Sequence, residues 1–265
     1  MLVPYQALLQ LPGDTLDNLI KEFLFAQTED GSFASLDDGA LTLAIKQCRQ
    51  ALALGLDVSG SVDLREYRLQ LDGLVVALND PDVTEALLAM PAAPVSLLVY
   101  EWSGPTDQAV LVPWTPLADA AALAQVSEVL RSTGRRDATP GTALGVAMTI
   151  GASYLDQQSH CWKRTLDISG DGKSNLGPRP RDVKDRIAAQ GITINALVIG
   201  ADAPPVGDRR QAEIGELSSY FLAEVIAGPD AFVETALGFE AYAEAMTAKL
   251  KRELEGIALS QASRQ

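Results

Sequence analysis

The chain has 265 residues, 47% of them apolar, with a formal net charge of −14 and one histidine. That size and apolar content suit one large hydrophobic core with a small appendage, and the negative charge opposes unspecific attachment to nucleic acid or an anionic membrane surface. No apolar run approaches bilayer-spanning length, the longest being strand-sized stretches such as 95–100.

The N-terminus lacks a basic segment, and Pro4, Gln6 and Gln10 interrupt its apolar residues, so it does not read as a signal peptide. On that ground alone a cytoplasmic location is expected, with Cys48 and Cys161 reduced. Leu16, Leu19, Ile20 and Phe23 follow a cap at Asp14 or Thr15 with helical spacing, which predicts a short helical N-terminal extension over residues 1–46. A polar, turn-like stretch follows at 27–35. Leu41, Ile45, Cys48 and Leu52 then allow a second helix, but residues 50–58 end at a Ser-Gly-Ser turn and read equally as a buried strand. The strand is preferred, because Asp63 can cap a helix carrying Leu64, Tyr67, Leu71, Leu74 and Leu78 at spacings of three and four. Strand, loop and helix make a βα unit.

The alternation continues along the chain. Strands are predicted over 95–102, 109–114, 162–169 and 192–199, the second at an edge because Pro113 cannot donate to a ladder. Helices are predicted over 117–130, 141–155 and 181–190, and a last one carries Phe239, Tyr242, Met246, Leu250 and Leu254 on one face. In that helix Lys249, Lys251 and Arg252 sit near the C-terminal end, and Gly256 reads as the stop. This order predicts an α/β fold, a doubly wound, mostly parallel sheet with helices on both faces. The domain is expected over 47–256, followed by a loose tail over 257–265.

Ligands of doubly wound sheets bind beyond the carboxyl ends of the strands. There the first strand ends in Asp57-Val-Ser59-Gly-Ser61, the strand from Trp162 ends in Ser169-Gly-Asp171, and Thr142 stands where Thr139-Pro-Gly-Thr142 opens a helix. All five side chains offer hard oxygen with few negative charges. Such a set leaves water positions open, as Mg²⁺ prefers. An isolated Asp-x-Ser-x-Ser occurs by chance in roughly one chain in ten or twenty of this length. The signal lies in three such pieces falling at loops that one sheet edge can gather; the bland alternative is an Asp- and Ser-rich turn that only caps the next helix.

These segments carry a resemblance. Leu56-Asp-Val-Ser-Gly-Ser-Val-Asp63, Pro140-Gly-Thr-Ala-Leu-Gly-Val-Ala-Met148 and Leu166-Asp-Ile-Ser-Gly-Asp-Gly172 resemble the three parts of the metal-ion-dependent adhesion site of von Willebrand factor A domains. Tyr100-Glu-Trp-Ser-Gly104, Gly191-Ile-Thr-Ile-Asn195 and residues 225–233 are similar to an uncharacterised bacterial, usually exported, family of such domains. The resemblance implies a Rossmann-like fold in which Ser59, Ser61 and Thr142 bind Mg²⁺ or Mn²⁺ directly while Asp57 and Asp171 act through water. It further implies an unidentified protein partner whose carboxylate completes the coordination shell. The exported relatives make a periplasmic or secreted location the alternative to the cytoplasm. Separately, Val3-Pro-Tyr-Gln and residues 15–23 resemble the start of a small uncharacterised bacterial protein family, which adds no chemistry.

Asp167 lies inside its strand, so a structural role is expected for it. His160 is discounted as a zinc ligand because no second nitrogen or thiolate is expected in reach. No phosphate-binding loop or nucleophile elbow occurs, so catalysis is not expected. A Mg²⁺-dependent phosphate-ester hydrolase and a scaffold with a vestigial metal site remain as alternatives. Cys48 lies nine residues before Asp57 and Cys161 ten before Asp171. If their strands are neighbours the sulfurs come within bridging range, so a disulfide and two reduced thiols are both open.

Overall fold

A computed structural model describes residues 48–200 and 210–262, with side chains over 212–254 in the second stretch. The predicted N-terminal extension over 1–46 lies outside the described residues. The first strand, β1, runs over Cys48–Asp57 and is buried throughout, which resolves the competition between helix and strand at Cys48 and Leu52. Then follow helices α1 (Leu64–Leu78) and α2 (Pro81–Leu88), strands β2 (Val95–Trp102) and β3 (Gln108–Leu117), and helices α3 (Ala120–Ser132) and α4 (Leu144–Asp156). The remainder comprises β4 (Cys161–Gly170), α5 (Pro180–Ala188), β5 (Ile192–Ile199), α6 (Arg210–Glu224), β6 (Val233–Ala236), a 3₁₀ turn at Phe239–Ala241 and α7 (Tyr242–Ala262).

The six strands form one sheet in the order β3-β2-β1-β4-β5-β6. All neighbouring pairs are parallel except β2 with β3, so the one reversed strand is the proline-bearing edge. Side chains alternate between the two faces of a strand. Leu52, Leu54 and Leu56 of β1 enter the layer shared with Leu71 and Leu74 of α1 and Met246 and Leu250 of α7. Ala51 and Ala53 enter the opposite layer with Leu144 and Met148 of α4, Ile187 of α5 and Phe221 of α6. Both faces are therefore covered, as the alternation predicts.

Several local expectations need correction. Asp63 does cap α1, its side chain accepting from Glu66 N while the Glu66 side chain accepts from Asp63 N–H. Leu64, however, is 69% exposed, because it is the first residue of the helix, where the periodicity begins before there is a layer to pack against. Three elements have no counterpart in the sequence reading: α2, whose start is marked by Asp80 as N-cap and Pro81 in the first turn, α6 and the short β6. Gly256 does not end α7, which runs on to Ala262, into the stretch expected to be a loose tail. A helical glycine costs only about 1 kcal/mol against alanine, less than the packing of Tyr242, Met246 and Leu250, all fully buried.

Lys249 is not a solvent-facing complement to the helix dipole either. It is fully buried, with Nζ 2.5 Å from Asp167 Oδ2 and 2.7 Å from Glu253 Oε1. The Asn195 amide donates to the same Glu253 oxygen at 2.8 Å and accepts from Phe232 N at 3.1 Å. This cluster docks α7 on β4 and β5, and gives Asp167 the structural role expected for it.

One cation faces two carboxylates here, away from water. Burial pushes the Asp167 carboxyl up to about 7, even though the Lys249 charge pulls it down, and the two carboxylates hold Lys249 protonated against the opposing effect of burial. A carboxyl whose pKa is raised on folding stabilises the fold fully below its unfolded value, and that contribution is lost as pH rises through its folded value. The domain should therefore lose on the order of a few kcal/mol between about pH 4 and pH 7 from this group. Urea midpoints at pH 5 and pH 8 check this: Asp167→Asn should show the smaller fall, and equal falls in both proteins would contradict the assignment.

At the other end of the same strands, Cys48 pairs in register with Cys161 and the two are joined by a disulfide. The bridge closes a separation of 113 residues and decides between the two cysteine states that the sequence leaves open.

Candidate metal centre

β1 leads through α1 and α2 to β2 on one side of it, whereas β4 begins the half of the sheet that grows on the other side. The crevice between β1 and β4 is therefore the topological switch point, where the loops leaving the two strands diverge and expose a cleft. Leu56 pairs with Ser169, so Asp57, the last residue of β1, and Asp171, the first beyond β4, emerge side by side.

The loops leaving that edge bring together Asp57, Ser59, Ser61 and Asp171. Asp57 Oδ1 accepts from Ser59 N at 2.8 Å, which turns the chain sharply after the strand. The Ser59 and Ser61 hydroxyls lie 3.2 Å apart, and Ser61 donates to Asp171 Oδ1 at 2.8 Å. Burial is graded across the group: Asp57 is fully buried and Ser59 nearly so, Asp171 is half-buried, and Ser61 is exposed. The cluster is a funnel with a carboxylate at its floor and hydroxyls toward solvent.

Thr142 reaches the same edge on the segment leading into α4. It is buried, and it precedes the helix by two residues instead of opening it. Gly60 N donates to Pro140 O at 3.1 Å, and a Cβ on Gly60 would stand 2.7 Å from the Pro140 ring. A side chain there would wedge the two loops apart. Asn175 clasps Thr142 from the other side, its Oδ1 accepting from Thr142 N and its own N donating to Thr142 O, both at 2.9 Å. Ala143 N donates to Ser103 O at 2.7 Å, fixing the segment to the end of β2.

Other supports also escaped the sequence reading. Gln70, fully buried on α1, donates to Asp57 O at 3.1 Å. The Arg135 guanidinium donates to Val62 O at 2.8 Å and grips the serine loop. Arg136 pairs at 2.8 Å with buried Glu101, which also accepts from the Tyr67 hydroxyl at 2.6 Å. These partners lie 33 to 73 residues from the groups they hold, apart from Gln70 at 13, and nothing local marks them.

The electrostatics are those of a site short of positive charge. Asp57 Oδ2 is buried and has no hydrogen-bond partner in the protein. Burial pushes this carboxyl up to about 8, the neighbouring Asp171 charge adds to the rise, and the Ser59 N–H opposes it. Burial also raises Asp171, against the Ser61 hydroxyl. A buried carboxylate without a partner is costly, and the inexpensive remedy is a cation. Two carboxylates and the Ser59 and Ser61 hydroxyls, with Thr142 on the adjoining segment, suit a hard divalent ion that keeps some of its water. The donor set therefore fits such an ion.

The strand order, the single reversed edge and the helices on both faces define a doubly wound α/β domain. The chain belongs to the family described as Protein of unknown function (DUF1194), whose model matches residues 47–258. Residues 1–57 match a second model, Uncharacterised protein family (UPF0270). No curated protein matches the chain in sequence. Among solved structures, the chain is similar to proximal thread matrix protein 1 from the mussel byssus, at 13% identity and TM-score 0.54, over 78% of this chain and 47% of that one. It is likewise similar to the pilus adhesin SpaC from Lactobacillus rhamnosus GG in an open conformation, at 15% identity and TM-score 0.54, over 80% of this chain and 30% of that one. A von Willebrand factor type A protein from Catenulispora acidiphila aligns at 17% identity and TM-score 0.49, over 78% and 43%. These likenesses concern the fold, and the chain spans less than half the length of each of the three proteins.

Asn175 holds Thr142 through both its side-chain oxygen and its backbone N–H, so its part is to position Thr142. Partners that orient metal ligands typically change affinity about 10- to 100-fold when removed. Asn175→Ala should therefore weaken divalent-cation binding about tenfold or more, measured by isothermal titration calorimetry, while the far-ultraviolet circular dichroism is unchanged. Unaltered affinity would contradict that positioning role.

Proposed function

We propose that the domain is a divalent-cation-dependent protein-binding module that engages a partner carboxylate through a metal-ion-dependent adhesion site. In this reading Ser59, Ser61 and Thr142 bind Mg²⁺ or Mn²⁺ directly, and Asp57 and Asp171 hold it through water. The observation that carries it is the buried, unpartnered Asp57 Oδ2 at the floor of a funnel of hydroxyls that opens to solvent. Bound there, the ion would present an electrophilic position at the surface, and an acidic side chain of another protein is the matching ligand. The von Willebrand-type fold and its likeness to a pilus adhesin and a byssal matrix protein support binding over turnover.

The hydrolase alternative is less well served by the geometry. Asp57 has no exposed surface from which to attack a phosphate, and Ser59 stands where a second carboxylate would be wanted. The Cys48–Cys161 disulfide favours an oxidising compartment, periplasmic or extracellular, over the cytoplasmic location that the N-terminus suggests. Among the described residues no helix is long and apolar enough to cross a membrane.

An ion bound only by the folded state raises its stability, by about 2.7 kcal/mol at a hundredfold excess over Kd. For a domain of this size that is roughly 5–10 °C in Tm. Mg²⁺ and Mn²⁺ should each produce such a shift in the native protein and little in Asp57→Asn or Asp171→Asn. Equal shifts in all three proteins would refute the site, and turnover of a generic phosphate ester that is abolished by Asp57→Asn would favour the hydrolase.

A further inference from the structure

At the opposite end of β1 and β4 from the hydroxyl funnel, the Cys48–Cys161 bridge has His160 beside it. One ligand atom from each of Cys48, His160 and Cys161 lies within 4.8 Å of the other two. The histidine's neighbours are two disulfide sulfurs, one of them brought from 112 residues away in sequence by the β1–β4 pairing, so reduction would put two thiols within its reach. The sulfurs are nearly buried, at 6% and 7% exposure for their residues, whereas His160 is exposed. His160 lies in the turn preceding β4, so its ring can adjust without breaking a ladder bond.

We propose that this corner is a redox-gated soft-metal site, closed as the disulfide and open to Zn²⁺ or a similar thiophilic ion when the cysteines are reduced. Opening requires two electrons and two protons from a dithiol, which is itself oxidised to a disulfide, and yields two protein thiols. The metal then binds both sulfurs as thiolates and the His160 imidazole, with release of two protons. Tetrahedral zinc has Zn–S about 2.3 Å and Zn–N about 2.0 Å, so its ligand atoms stand roughly 4 Å apart or less. The histidine lies within 4.8 Å of the sulfurs, less than 1 Å beyond that, and the sulfurs, bonded in the oxidised protein, move apart to it on reduction by side-chain rotation. Two thiolates and one imidazole leave the fourth position to water, and the Gln158 side-chain oxygen, 3.8 Å from Cys161 Sγ, is placed to accept a hydrogen bond there. The register that aligns the cysteines is fixed by the rest of the ladder, so reduction leaves the two sulfurs facing each other.

Reduction with a phosphine, which becomes its oxide by taking oxygen from water, avoids the metal chelation that a dithiol would bring. Co²⁺ added to the reduced protein should give a thiolate-to-cobalt charge-transfer band in the near ultraviolet, absent from the oxidised protein, and Zn²⁺ should displace it. His160→Ala, an exposed substitution, should weaken binding about tenfold or more. No band from folded, reduced protein, or the same affinity in His160→Ala, would overturn the proposal. If the reduced chain loses its fold, Zn²⁺ should restore the near-ultraviolet circular dichroism, and failure to do so would overturn it equally. An oxygen-only site gives no thiolate band, so the outcome is independent of the proposed adhesion site.

Discussion

The parallel pairing of β1 with β4 is the constraint on which the rest of the molecule depends. The two strands are distant in sequence, and their ladder runs from Cys48 opposite Cys161 to Leu56 opposite Ser169. A shift by one residue would turn every side chain to the other face, placing Leu52, Leu54 and Leu56 in the layer now filled by Ala51 and Ala53. It would also part Asp57 from Asp171 at one end and the cysteines at the other. Apolar burial on both faces thus specifies the register, and the register sets the chemistry at both ends. The disulfide adds a covalent tie to a pairing that the core already selects.

Around that pairing the molecule tolerates two buried concentrations of negative charge and treats them differently. Asp167 and Glu253 share Lys249, a cation supplied by the chain itself, and the result fastens α7 to the sheet. Asp57 has the Ser59 N–H for one oxygen and nothing from the protein for the other. The first arrangement carries its counter-charge within the fold, although Asp167 Oδ1 and Glu253 Oε2 accept no hydrogen bond from the described residues. The second has no counter-charge beside it among the described residues, and the proposed cation site rests on that difference.

Much of this was legible because it was local. Short apolar runs marked β2, β4 and β5, the capped helix that follows decided β1 as a strand, and helical spacing marked α1 and α7; the Asp-x-Ser-x-Ser turn, Thr142 and Asp171 stood out because each falls at a strand end or a helix approach. The missing parts are those whose meaning depends on distant partners. Asn175 becomes important only because its loop folds onto Thr142, and Arg135 only because its guanidinium reaches the serine loop. Lys249 looked like a dipole-complementing surface charge until the sheet placed Asp167 against it. His160 looked isolated beside a single cysteine because the second sulfur, that of Cys48, arrives only through strand pairing. Gly256 misled for a related reason: a local preference of about 1 kcal/mol yields to the packing of a whole helix face.

The central claim is that Asp57, Ser59, Ser61, Thr142 and Asp171 form one cation site. Crystals grown with Mn²⁺ and measured at its absorption edge test this most directly. The account predicts an anomalous peak at the mouth of the β1–β4 crevice, within ordinary coordination distance of the Ser59 and Ser61 hydroxyls. A fully ordered funnel with no such peak at saturating Mn²⁺, or an ion bound only elsewhere, would contradict it.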